Sequence, residues 1–196
     1  MSFLLPFIPV GIAALYAERS VLPSLLDGIT QPAALKHVLA HPRSIGFVLI
    51  VNVFISGFFM IGLGMKVGKA RALYREKAKK DGEKDAEARY SLPNMYVDGN
   101  TPHAKKFNCV QRGHQQALET YPQFLALSLC GGQSFPLMTT LCGILWIYAR
   151  AKWAEGYAVG DPDSRYQHWA SKGIWVSLLW GSLATLGTAL SVMELI

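Results

Sequence analysis

Arg112, Gln116 and Glu119 stand at i, i+4 and i+7 within FNCVQRGHQQALETYPQ, Phe107–Gln123. On a helix they share one face. That face carries a guanidinium, an amide and a carboxylate, and it leads straight into the apolar run FLALSLCGG. Charge at membrane depth is costly unless it faces protein or water, so such a face marks a functional site. Further groups reach the same edge. Arg71 follows an apolar run, Arg150, Trp153 and Tyr157 stand at i, i+3 and i+7 on another, again on one face, and Arg165 precedes the last one. Four arginines and one carboxylate at one depth suit an anionic ligand that also carries an amine. Arginine forks pair bidentately with carboxylates, Glu119 suits an ammonium, and the two aromatics bound the ligand. The plainer reading is that arginines at helix ends snorkel to headgroups. Lys66, Lys69 and Lys152 are read that way. Arg112 and Glu119 also read as a simple helix-surface pair, and Trp153 and Tyr157 as interfacial belt residues.

The elements that must position these groups are apolar. Of 196 residues, 51% are hydrophobic and 16% charged, which fits a small polytopic membrane protein of one domain rather than a soluble one. The net charge of +6 is not spread evenly. Eleven of the nineteen Lys and Arg lie between Lys66 and Lys106, as in a cytoplasmic loop under the positive-inside rule. No basic-plus-aromatic nucleic-acid signature accompanies them. Cys109, Cys130 and Cys142 have neither metal-ligand spacing nor an even disulfide framework. Cys130 and Cys142 read as buried small hydrophobes.

Residues 1–42 form an N-terminal extension. Its apolar part, Met1–Ala17, would be about 25 Å long as a helix, short of the roughly 30 Å hydrocarbon core. It reads as an interfacial segment, with a signal anchor as the alternative, followed by a linker over Glu18–Pro42 and a short helix near Ala33–Ala40. Residues 43–196 read as an all-α bundle of four transmembrane helices. The spans are Ile45–Met65, Phe107–Leu129, Leu137–Trp153 and Trp169–Val192. The first helix is expected to continue through KVGKARALYREKAKK, which lacks a breaker. Asp81–Thr101 reads as a loop with turn chemistry. Pro122 falls inside the second span and is expected to kink it, and Gly131-Gly132 ends it. The basic loop and Gly160–Arg165 are placed on the cytoplasmic side and the C-terminus opposite.

FNCVQRGHQQALETYPQFL and WIYARAKWAEGYAVGDPDSR resemble the MAPEG family, the membrane-associated proteins of eicosanoid and glutathione metabolism. KARALY, LPNMY and the E-x-Y-P element Glu119–Pro122 support the same placement. Within the family the chain is most similar to the type-three microsomal glutathione transferases, over about Ile45 to the C-terminus. The resemblance implies a homotrimer in an internal membrane, the endoplasmic reticulum or alternatively the mitochondrial outer membrane. Glutathione would bind between subunits near the cytosolic face, as co-substrate, with no metal. It implies that Arg112, Gln116, Glu119, Arg150, Trp153 and Tyr157 hold the peptide, that Arg71 comes from the adjacent subunit, and that His114 also reaches it. Arg165, in the D-P-x-S-R element, would face the sulfur. There a guanidinium would favour the thiolate, whose free pKa is near 8.5. The implied activity is glutathione transfer to lipophilic electrophiles and reduction of lipid hydroperoxides. The alternative is a non-catalytic lipid-binding scaffold of the lipoxygenase-activating branch. The chain departs from relatives in Gln116, where they carry Asn. Thr120 and Trp153 stand where the leukotriene C synthases have tyrosines. Residues 1–42 and the segment Lys77–Arg89 have no counterpart in the family; the latter reads as a solvated helix extension or a disordered insert.

Overall fold

The computed structural model describes residues 2–28 and 43–195. About 81% of it is helical, with no strand among the described residues. The main helices are α1 (Phe7–Tyr16), α2 (Leu22–Gly28), α3 (Ile45–Val48), α4 (Ser56–Lys80), α5 (Ala86–Arg89), α6 (Pro102–Gly131), α7 (Pro136–Ala158) and α8 (Gly173–Val192). Wider π-helical turns, Ala17–Val21 and Leu49–Ile55, join α1 to α2 and α3 to α4 without a break. Among the described residues, three helices are long and apolar enough to cross a membrane: Ser2–Leu25, Ile45–Lys80 and Trp169–Val192, of 24, 36 and 24 residues. At 30 and 23 residues, α6 and α7 are long enough, but their polar residues interrupt the apolar run. As expected, α4 runs on to Lys80, and α6 continues through Pro122 and stops at Gly131.

The chain divides into two compact units. One comprises Met1–Gly57, Tyr121–Ile147 and Gly173–Ile196. Its core joins Leu15, Phe135, Met138, Cys142 and Ala184. The α1 helix docks where the Trp180 indole N–H donates to the Phe7 carbonyl at 2.8 Å and Gly11 leaves room for the ring. The linker expected from Glu18 onward is instead helical as far as Gly28. A charge is tolerated there because the Glu18 carboxylate accepts from the Leu137 and Met138 backbone N–H groups, each at 2.7 Å. These belong to the first turn of α7, whose N–H groups have no partner within the helix. The expected helix at Ala33–Ala40 lies outside the described residues. Asn52, fully buried, donates to Ser128 Oγ at 2.8 Å and to the Thr139 carbonyl at 2.9 Å, with Gly143 leaving space for it. Cys142 is buried as expected, but Cys130 is exposed. Apolar positions facing outward are ordinary for a helix whose solvent is lipid.

The second unit comprises Phe58–Thr120 and Tyr148–Lys172. Its core gathers Val67, Ala70, Tyr90, Val97, Ala104 and Phe107. Lys77–Arg89 is mostly exposed and partly helical, as a solvated extension would be, but Ala78 and Ala86 in it are buried, and Tyr90 and Val97 beyond it also plug this core. Arg89 ties the segment together, pairing with Glu83 at 3.0 Å and donating to the Asp98 carbonyl. Asn108 on α6 then clamps it, accepting from Val97 N–H and donating to the Val97 carbonyl, both at 2.9 Å.

Candidate functional site

All nine sequence-derived candidates fall in the second unit. On α6, Arg112 Nη1 donates to Glu119 Oε1 at 2.6 Å, and the two side chains are 37% and 47% exposed. The carboxylate is thus accessible and paired to a cation two turns away. Beside it, Arg150 of α7 is 0% exposed. Its guanidinium donates to Gln116 Oε1 and, at 2.7 Å, to Thr120 Oγ1, and it lies over the Trp153 ring at 5.6 Å. Trp153 is buried and packs on Tyr157, with ring centroids 4.9 Å apart. Gln116, half-buried, and Thr120 offset part of the cost of burying the Arg150 guanidinium.

Arg165 projects from the 3-10 turn Pro162–Tyr166. It donates to the Pro162 carbonyl and stands 6.0 Å over Tyr157 and 5.2 Å over Tyr166. The turn is built by Asp161, which accepts from Asp163 N–H at 3.2 Å and from Ser164 Oγ at 3.0 Å. These bonds hold the Asp161 carboxyl below its ordinary range. Gly156 of α7 lets the turn approach: a Cβ there would lie 2.5 Å from the Ser164 carbonyl oxygen and 3.1 Å from Arg165 Cα.

A cavity of about 550 Å³ opens in this unit, lined by Tyr96, Lys105, Asn108, Cys109, Arg112 and Tyr157 among others. That volume is within the usual range for small-ligand sites, about 300–1,000 Å³. Tyr96 is held over α6 by a hydrogen bond from its hydroxyl to Gln115 Oε1. The structure brings Arg112 and Tyr157 to the cavity wall. Gln116, Glu119, Arg150 and Trp153 continue from it by direct contact, and Arg165 stands over the Tyr157 ring. Arg71 and His114 are placed elsewhere in the unit. Arg71 donates to the Tyr90 carbonyl at 3.3 Å and lies 4.6 Å over the Phe107 ring, while His114 packs beside Gly64. Neither lines the cavity. Conversely, Tyr96, Lys105 and Asn108 were not singled out by the sequence. The signal for two of them exists: Lys105, Asn108, Cys109 and Arg112 sit at i, i+3, i+4 and i+7, extending the polar face one step upstream. Among the described residues no cluster suited to a metal ion occurs.

The MAPEG family profile matches residues 48–186. The chain belongs to the MAPEG family. The match covers the helices that carry the polar face, the clamp segment and the Arg165 turn. MAPEG proteins are membrane-bound, include glutathione transferases and related enzymes, and use glutathione. With its candidate spanning helices, this MAPEG chain is an integral membrane protein.

Proposed function

We propose that this protein is a membrane glutathione transferase of the type-three microsomal kind, with peroxidase activity toward lipid hydroperoxides. The observation that carries the reading is the accessible Arg112–Glu119 pair beside the Arg150–Gln116 network and the cavity. An amino-acid zwitterion offers the complementary pair, a carboxylate for Arg112 and an ammonium for Glu119. Binding exchanges one intramolecular ion pair for two intermolecular ones, so neither charge is left unpaired. Arg150, fully buried, acts on the ligand through Gln116 and Trp153. Tyr157 bounds the sulfur side, and Arg165 above it supplies the positive field that favours the thiolate. Each unit by which the thiol pKa falls is about 1.4 kcal/mol of differential stabilisation.

The thiolate attacks an electrophilic carbon, an S–C bond forms, and the leaving group departs with its electron pair. With a hydroperoxide, sulfur attacks the distal oxygen and the O–O bond breaks. The alkoxide takes a proton, and a second glutathione converts the sulfenic acid to disulfide and water. Residues 43–196 would supply four spanning helices, α6 and α7 entering the membrane beyond their polar ends, with the extension 1–42 added. In a homotrimer in the endoplasmic reticulum, Arg71 and His114 would serve the neighbouring subunit's site. Turnover of a lipophilic chloronitroarene and of a lipid hydroperoxide tests the reading. Glutathione-dependent conversion of either, reduced by Arg165→Ala, supports it. Glutathione-independent or absent turnover in folded protein contradicts it and turns the assignment toward the scaffold.

A further inference from the structure

The cavity wall carries positive charge at two places and no negative charge among the described residues. Arg112 is one of them; Lys105 is the other. Lys105 lies in the opening turns of α6, where no acidic residue precedes it in the first turn. A cation there opposes the helix macrodipole and does nothing for helix stability. Its neighbour Lys106 has a packing role, its stem lying over Gly160, which holds φ at +98°. Lys105 is exposed. The acid whose carboxyl feels Lys105, Asp161, is already bonded to Asp163 N–H and Ser164 Oγ. Asn108, one turn further along α6, spends its oxygen and its amide on Val97. Lys105 thus faces the cavity without a protein carboxylate paired to it among the described residues.

Lys105 and Arg112 are seven residues apart on one helix face, a rise of about 10 Å. An extended α-linked tripeptide reaches about the same distance, at 3.3–3.6 Å per residue, and glutathione, whose first link runs through the γ-carbon, is longer, so its two carboxylates can span it. We propose that Lys105 is a specificity-determining residue that takes the second, glycyl carboxylate of glutathione, while Arg112 and Glu119 take the γ-glutamyl end. The inference rests on the glutathione reading and fixes the ligand's direction along α6: zwitterion toward Glu119, glycyl end toward Lys105, with the sulfur between them beside Tyr157. The required ligand class is a tripeptide anionic at both ends, which separates glutathione from its dipeptide precursor and from free cysteine.

Calorimetric titration of the detergent-purified full chain tests this, with glutathione and its glycyl monoethyl ester as paired probes. Wild type is expected to prefer the free acid about fivefold, the scale of one accessible charge pair. Lys105→Gln should bind glutathione about fivefold more weakly, bind the ester as wild type does, and lose the preference; Lys105→Arg should restore it. Unchanged ester affinity also shows that the variant is folded. A Lys105→Gln protein that still discriminates, or that loses both ligands equally, overturns the assignment. A wild type that binds both equally overturns it while leaving the glutathione reading standing. A wild type that binds neither overturns that reading as well.

Discussion

Arg112 and Glu119 are joined at 2.6 Å across two turns of α6, at the level where Arg150 is buried against Gln116. The pair is about two-fifths exposed on both sides, so its worth to folding is small, about 0–1 kcal/mol. Under the proposed function its value lies in binding. Glu119→Gln is expected to leave thermal stability nearly unchanged and to weaken glutathione binding roughly tenfold, by loss of the charge-assisted bond to the ammonium. Calorimetric titration reads this directly, and unchanged affinity would remove Glu119 from the site.

Gly156 controls the approach of the Arg165 turn to α7. Gly156→Ala introduces a methyl 2.5 Å from the Ser164 carbonyl oxygen, so backbone must move. The expected cost is about 1–3 kcal/mol of stability. The turnover number should fall because Arg165 is displaced from Tyr157, with KM for glutathione less affected. A variant with wild-type kinetics would show that the placement of the turn does not matter to the reaction.

Much of this site is legible in the sequence, and the reason is periodicity. Arg112, Gln116 and Glu119 share a helix face whatever the tertiary fold, and Arg150, Trp153 and Tyr157 do the same. The cavity's other wall is not legible. Tyr96 and Val97 lie in a stretch of turn-forming residues, and their position depends on Asn108 bonding back to Val97 across eleven residues. Nothing in local pattern encodes that. Glu18 opens a stretch that reads as a linker because it contains Pro23, Pro32 and Pro42. Its partners, Leu137 and Met138, are more than a hundred residues away.

Glu18→Ala should therefore destabilise the unit containing α1, α7 and α8. Two N–H groups of the first turn of α7 lose their acceptor, a loss of about 1–2 kcal/mol. Thermal unfolding in detergent should shift downward while glutathione affinity stays as in wild type. An unshifted transition would mean that the contact does not anchor the N-terminal helix.

Asn52→Ala removes a buried side chain that bridges Ser128 and the Thr139 carbonyl. Hydrogen bonds between membrane helices contribute about 0.6–2 kcal/mol, and a loss on that scale is expected in the same unfolding measurement. Wild-type stability would assign the packing around Gly143 to apolar contact alone.

Asp161 gives a pH signature. Its carboxyl is held below the ordinary range, first by Asp163 N–H and then by Ser164 Oγ. A depressed folded-state pKa stabilises at pH values above the unfolded value, near 3.9 for Asp, and that contribution disappears as pH falls through the lower folded value. Unfolding scans from neutral to acid should show a loss of stability in that window that Asp161→Asn lacks. Identical acid limbs would contradict the role given to the turn.

The measurement that bears most directly on the central claim is ultraviolet thiolate absorbance during glutathione titration near neutral pH. The protein as purified should produce a saturable thiolate signal, and Arg165→Ala should bind glutathione with little of it. Folded wild-type protein that gives no signal at saturating glutathione would contradict the assignment of this polar face to sulfur activation.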